Sequence, residues 1–426
     1  MKKFTVALIG GGGRGRLYTD LMADMPEKYQ VVAVVEPIKE RRDYVQARHN
    51  IPDDMCFEGW DAFFAKGKIA DVAVIATMDK DHYVPVMKAI ELKYDLLLEK
   101  PVSPNPEECK KMADYAAEMG VKILVCHVLR YAPVFVTVKK LVEEGAVGDI
   151  ISVNAEECVG NVHQSHSFVR GKWGNEGRSS FMLLQKCCHD LDILQWIINK
   201  KCKQVQSFGT LTYFTEKNAP EGSPEYCYQG CPVGDKCPYN AVDIYLEGED
   251  KFPDYRLREL ITARPHGSYE ERKEAIETTQ FGKCVFKCDN DVVDHQTINM
   301  LYEDDITVTF SMNAFNNGGR KLHIMGTKGE LSTGEGFDGV ALFDFLTRET
   351  KQIPIIRPDA DGYATHGGGD YGIICSLYDY LTDQYEGFPL SEIGISVENH
   401  LTVFAAEKSR LENKIIDVEE YIKSLN

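Results

Sequence analysis

Three things are missing from this sequence, and each absence excludes something. There is no apolar run near the ~18 residues that a membrane-crossing helix needs. There is no excess of positive charge: lysine plus arginine total 48 against 66 acids, a formal charge of −18. That balance argues against a nucleic-acid backbone or an anionic membrane as the main partner. There is no secretory leader pattern either. Met1-Lys2-Lys3 and Phe4–Ile9 imitate one briefly, but glycines, arginines and Asp20 follow where an apolar stretch and a cleavage site would lie. Internal repeats and low-complexity tracts are also missing. Cysteine, by contrast, is plentiful. Thirteen of them, an odd number in a long acidic chain, point to reduced thiols in the cytoplasm and away from a disulfide scaffold.

What is present reads as a globular protein. Hydrophobic residues make up 43% and charged residues 27% of 426 positions, enough for two or three domains with sizeable cores. Over residues 1–127, short apolar runs alternate with amphipathic stretches. Phe4–Ile9, Val31–Val35, Val72–Ala76, Asp95–Leu98 and Lys122–Cys126 read as strands, with helices between them. That alternation predicts an α/β domain built on a doubly wound parallel sheet. From residue 128 to 426 the pattern changes. Helices are expected at Pro133–Glu144, Ser180–Asn199, Tyr255–Ala263, Gly372–Thr382 and Ser396–Glu412. Period-two runs at Ile150–Glu157, Thr210–Phe214, Asp291–Tyr302, Ile306–Phe315 and Arg320–Met325 predict an α+β domain with a large open, mainly antiparallel sheet. A polar, cysteine-rich stretch at about 215–283 reads as an insertion without its own core.

Gly10-Gly11-Gly12-Gly13-Arg14-Gly15 follows the first strand and opens a helix. Gly10 permits a tight turn, Gly12 lets backbone approach a pyrophosphate, and Gly15 lets helix and strand pack closely. Amides at the helix start, those of Gly13 and Arg14 among them, would hold phosphates. Glu36 closes the second strand 21 positions after Gly15. There it would accept hydrogen bonds from ribose hydroxyls and repel a 2′-phosphate, favouring NAD over NADP. Arg41 and Arg42 soften that preference.

Glu99-Lys100-Pro101 follows the fourth strand. With the glycine turn and a later helix bearing His189, it resembles the glucose–fructose oxidoreductase / inositol dehydrogenase (Gfo/Idh/MocA) family over essentially the whole chain. The resemblance implies a Rossmann NAD-binding domain and a nicotinamide ring at the C-terminal end of the parallel sheet. A sugar, cyclitol or related polyol would lie over that ring, against the second domain. Thr77, His82 and Glu99 correspond to cofactor-contacting positions. His127 and Arg130 fall in the segment linking the domains, and Trp173 lies upstream of the histidine helix. The resemblance further implies a homodimer or homotetramer packed through the open sheet. Lys100 would exchange a proton with a substrate hydroxyl.

Lys186, His189 and Asp192 recur every three residues, so one helix places them on one face. Imidazole titrates near neutrality, which makes His189 the acid–base candidate. The family pattern has an aspartate four residues before this histidine. Here Gln185 stands there, so the orienting acid is either missing or replaced by Lys186 or Asp192. Cys227, Cys231, Cys237, Cys284 and Cys288 lie on proline- and glycine-bearing turns, a setting that suits four-thiolate structural zinc or, failing that, free thiols. Asp294, Gln296 and the segment His366-Gly367-Gly368-Gly369-Asp370 are further polar candidates, for the cleft or for capping.

Together with these residues, the resemblance implies an NAD-dependent oxidoreductase acting on a sugar, glycoside or cyclitol. Two alternatives are a redox-neutral NAD-dependent glycosidase and a non-catalytic nucleotide-sensing regulator.

Overall fold

The computed structural model describes residues 2–248, 257–258, 260–262, 267–334, 339–355 and 365–425. Its first sheet joins β1 (Phe4–Ile9), β2 (Tyr29–Val35), β3 (Cys56–Phe57), β4 (Val72–Ile75), β5 (Asp95–Leu98) and β6 (Ile123–Val125). The order is β3-β2-β1-β4-β5-β6, with every pair parallel. All four residues of β4 are buried, as expected of a strand covered on both faces. The helices between strands carry ordinary local signals. Before Pro106–Met119, Asn105 Oδ1 accepts the Glu108 amide at 3.0 Å, and Gly120 at φ +65° ends the helix.

The second sheet holds β7 (Ile150–Cys158), β8 (Cys202–Thr210), β9 (His295–Tyr302), β10 (Thr307–Asn313), β11 (Gly319–Gly326), β12 (Gly329–Thr333), β13 (Gly339–Asp344), β14 (Thr350–Pro354) and β15 (Ile416–Asp417). Its order is β14-β13-β12-β11-β7-β10-β9-β8-β15. β7 and β10 pair in parallel and the other neighbours antiparallel. One face packs on the helices Cys188–Ile198 and Ile393–Glu412, where Leu191, Leu194, Val397 and Leu401 join Ile298 and Phe310 in a single core. The opposite face is open, and Phe208 on it is half-exposed.

The chain returns to the first sheet near its end. Helix Gly369–Leu381 lays Ile373, Ile374, Leu377 and Tyr378 against Val6 and Leu8. The Phe4 and Tyr378 rings meet edge to face at 5.8 Å.

Several expectations are corrected. The long helix at Ser180–Asn199 is two, Met182–Gln185 and Cys188–Ile198. At the break, the Gln185 carbonyl accepts from Lys100 Nζ at 2.5 Å. Thr210–Phe214 is not a strand. β8 stops at Thr210, because the amides of Thr212 and Tyr213 turn to the Asp294 carboxylate at 3.0 and 2.7 Å. The insertion does have a core of its own, around Ile244, Tyr245 and Ile276, and its Tyr239 packs with Phe214 and Phe286 at its borders. The helix expected over Tyr255–Ala263 lies largely outside the described residues.

Candidate active site

The glycine turn is built by close approach. Gly10 sits at φ +99°, and a Cβ there would lie 2.5 Å from the Ala76 carbonyl oxygen. A Cβ on Gly15 would lie 2.1 Å from the Gly10 oxygen, so helix Gly13–Ala23 can seat on β1 only without one. Gly12 caps that helix and faces open space, with nothing within 4 Å of a built Cβ. This leaves a cradle of backbone at a helix start, the geometry that receives a diphosphate. Glu36 is buried beside it. Its Oε2 accepts the Gly11 amide at 2.7 Å and its Oε1 the Ile38 amide at 2.9 Å. Thr77 Oγ1, just past β4, is buried with no partner, which marks a polar atom awaiting a ligand. These residues fit a dinucleotide.

Glu99-Lys100 ends β5 next to this turn. Arg14 Nε donates to Glu99 Oε1 at 2.7 Å, and the Tyr18 hydroxyl donates to the same oxygen at 2.8 Å. Burial would raise the Glu99 pKa, but the Arg14 and Lys100 cations outweigh it and hold the carboxyl below its ordinary value. Lys100 Nζ reaches across to the helix break before His189. His189 is buried, its Nδ1 has no partner, and its ring stands 5.7 Å from that of His127 and 6.1 Å from that of His366. Burial, with Lys100 and the other histidines nearby, pushes the His189 imidazole well below its ordinary value. It is therefore neutral, able to accept at one nitrogen and donate at the other.

Lys186 and Asp192 do not converge on His189. The break between the two helices turns Lys186 to Glu157, at 3.2 Å. Asp192 holds Arg130 in a bidentate pair at 2.6 and 2.7 Å, both groups buried. His127 lies beside that pair, its Nε2 4.0 Å from Asp192 Oδ1, with no hydrogen bond at either ring nitrogen. His82 is fully buried, its Nδ1 2.8 Å from the Pro101 carbonyl oxygen. Trp173 packs its ring against Phe168 at 6.0 Å. Asp294 is spent on turn amides, and Gln296 Nε2 donates to Ser207 Oγ at 3.0 Å under the C-terminal helices.

Two groups escaped the sequence reading. Ser179 and Ser180 donate to the buried Asp79 carboxylate at 2.6 and 3.0 Å, tying the histidine helix to the loop after β4. Arg320 on β11 bonds Asp190 at 2.7 Å and Glu157 at 2.6 Å. Burial raises Asp190 to about 6, with Glu157 adding to the rise and Arg320 opposing it. No local motif announces either group, because the partners lie far apart in the chain.

The expected zinc site is not supported. Cys227, Cys231, Cys237 and Cys284 line one cavity whose other walls include Pro220, Val233 and Phe286, while Cys288 points back to the Cys284 carbonyl. Among the described residues, no three histidine, cysteine, aspartate or glutamate side chains could hold a metal ion. Burial raises the thiols of Cys237 and Cys284, and that of Cys288 to about 11. They pack as small protonated hydrophobes. Buried Arg170, bonded to the carbonyls of Lys283 and Tyr239 at 2.7 and 2.6 Å, ties this region together.

Fold and site define a two-domain oxidoreductase with a dinucleotide-binding sheet at its N-terminus. Residues 4–127 match the family model described as an oxidoreductase family, NAD-binding Rossmann fold. Residues 139–420 match its C-terminal alpha/beta domain. The chain belongs to the Gfo/Idh/MocA oxidoreductase family. It is 22% identical over 321 residues to a putative oxidoreductase, YteT, of Bacillus subtilis, covering 72% of each chain. It is 22% identical over 206 residues to an inositol 2-dehydrogenase of Corynebacterium glutamicum, covering 48% of this chain and 57% of that one. A solved levoglucosan dehydrogenase, in complex with NADH and levoglucosan, shares the fold with a TM-score of 0.70 at 16% identity, over 98% of this chain and all of that one. Among the described residues, no helix is long and apolar enough to cross a membrane.

Proposed function

We propose that the chain oxidises, and in reverse forms, a hydroxyl-bearing carbon of a sugar, glycoside or cyclitol. NAD, when bound, supplies the hydride acceptor. The carrying observation is that Lys100 extends from the end of β5 to the Gln185 carbonyl, at the break that precedes the helix bearing buried His189. Arg14 and Glu99 join the same strand end to the glycine turn.

In this reading Gly10, Gly12, Gly13 and Gly15 shape the phosphate cradle. Glu36 keeps a lone pair for a ribose hydroxyl and disfavours a 2′-phosphate, which makes NAD preferred to NADP. Thr77 and His82 border the cofactor. Lys100 exchanges the proton of the reacting hydroxyl, and His189 binds and orients it. Asp192 holds Arg130 beside His127, whose ring stands 5.7 Å from that of His189. The substrate class follows from family membership and from the names of relatives that act on cyclitols and anhydrosugars. The cytoplasmic setting rests on thirteen cysteines, an odd number, in a long acidic chain. The open face of the second sheet is the surface through which a homodimer or homotetramer would form.

Replacing Lys100 by Met in the NAD-loaded enzyme tests the assignment. Turnover on an identified polyol should fall by at least ~100-fold with NADH affinity retained; unchanged turnover sinks the proposal. Glycoside cleavage without net NADH would instead be the mark of a redox-neutral cycle.

A further inference from the structure

His366 and Asp370 come from the segment that leads into helix Gly369–Leu381, and the reading above gives them no task. His366 Nδ1 stands 2.8 Å from Asp370 Oδ2. A carboxylate only accepts, so Nδ1 carries the proton and Nε2 presents its lone pair. The His366 side chain is 35% exposed and the Asp370 side chain 1%. The pair is thus anchored at its acid end and open at its imidazole end, where no described residue bonds Nε2. Across from it, 6.1 Å between ring centres, stands His189.

The backbone around the pair is locked. Gly367 and Gly368 sit at φ +63° and +96°, and His366 itself at +50°. A Cβ on Gly369 would lie 2.2 Å from the Val128 oxygen, so this segment presses on the stretch that links the two sheets. Asp370 Oδ1 also accepts from Arg14 Nη2 at 2.5 Å. The same arginine that grips Glu99 therefore fixes the carboxylate that aims His366. A histidine used only as packing would not keep its far nitrogen free beside the lysine–histidine pair.

We propose that His366, oriented by Asp370, is a substrate-contacting acid–base residue of this site, bonding a substrate oxygen other than the one served by Lys100 and His189. The proposal rests on the function proposed above and deepens it: the substrate carries at least two oxygens, engaged from opposite sides of the cleft. A proton leaving the second hydroxyl forms a bond to Nε2 as its O–H bond breaks, and the imidazolium so formed faces the Asp370 carboxylate. The reverse step returns it, so no other reactant is needed. Burial, with Arg14 and Arg320, lowers the His366 pKa while Asp370 raises it, and among the described residues His189 is the other titratable ring that meets it. Asp370 is a positioning residue.

The test uses the full-length enzyme with NAD and three probes: myo-inositol, methyl β-glucoside and levoglucosan. Asparagine tolerates the left-handed backbone at position 366, so His366→Asn should fold and bind NADH within twofold of wild type. Its kcat/KM on whichever probe the wild type turns over should fall about 100-fold. Asp370→Asn should lose about tenfold and move the acid limb of the kcat profile to lower pH, a shift that a purely structural role would not cause. His366→Asn with kcat/KM within twofold of wild type, while Lys100→Met has lost turnover, overturns the dyad and leaves the parent reading standing. Equal losses of NADH binding and turnover in His366→Asn also overturn it. Unchanged turnover by Lys100→Met, or no turnover of any probe by the wild type, overturns both.

Discussion

Asp370 accepts a hydrogen bond from Arg14 at 2.5 Å across a separation of 356 residues. The contact joins the first helix of the dinucleotide domain to a helix contributed by the C-terminal half. Because Arg14 also holds Glu99, three segments share one guanidinium: the glycine turn, the strand end with Lys100, and the segment with His366.

Removing that guanidinium leaves two buried carboxylates facing each other. Arg14→Met should cost about 2–4 kcal/mol, toward the lower end for a broken buried pair because Arg14 is a third exposed. Urea denaturation reads the stability. NADH titration should show a parallel loss of affinity, since the turn and the strand end lose their common tie.

The glycines separate packing from binding. Gly15→Ala drives a methyl to 2.1 Å from the Gly10 oxygen and 2.9 Å from Leu8 Cδ1. It should lower stability by about 1–3 kcal/mol and abolish NADH binding. Gly12→Ala meets nothing within 4 Å. Its melting temperature should match wild type while NADH binding weakens tenfold or more. Equal effects of the two variants on stability would contradict the cradle geometry.

Asp192 was a candidate for catalysis, yet its carboxylate is consumed by Arg130. Asp192→Ala should therefore cost about 3–5 kcal/mol, as breaking a buried pair does, and should do so with or without NADH. A variant of wild-type stability with collapsed kcat would return Asp192 to the chemistry.

Acid should weaken the fold through its histidines. Burial lowers His49 to about 4 and His400 to about 3, against about 6.5 in an unfolded chain. Between those values the unfolded chain binds more protons, so stability rises with pH and is lost as pH falls from about 6.5 toward 4. Asp190 works the other way: raised to about 6 from an ordinary value near 4, it favours the fold as pH falls through that range. His127, His189 and His366, also lowered by burial, add to the loss, while Asp20 and Glu176, raised by burial, side with Asp190; five histidines against three carboxyls leave a net loss on acidification. Melting temperatures from pH 7 to 5 should show it, and His400→Gln should flatten the curve. An unchanged slope in that variant would remove His400 from the account.

Some of this site could be read along the chain and some could not. The turn Gly10–Gly15, the acid at Glu36 and the triplet Glu99-Lys100-Pro101 are local: their spacing carries their meaning. Periodicity also placed His189 on a helix. It could not show that the helix breaks at Lys186, because the break depends on Lys100, 85 residues earlier, taking the Gln185 carbonyl. The same limit misled the reading of Thr210–Phe214, whose strand pattern yields to the carboxylate of Asp294. Spacing suits the cysteines to zinc or to free thiols alike, because it says nothing of where thiols point.

Strand–helix alternation and one glycine turn determined, without any structure, that the chain would fold as a doubly wound sheet joined to a second, mostly antiparallel one, and that a dinucleotide would be its cofactor. Those features obey short-range rules of backbone sterics and side-chain period. Only the tertiary structure decided which charged groups meet. Asp192 went to Arg130, Asp190 to Arg320, and Asp370 to both Arg14 and His366. A buried charge takes whichever partner the packing of distant segments brings within reach, because leaving it unpaired in a low-dielectric interior costs more than any local preference can offset.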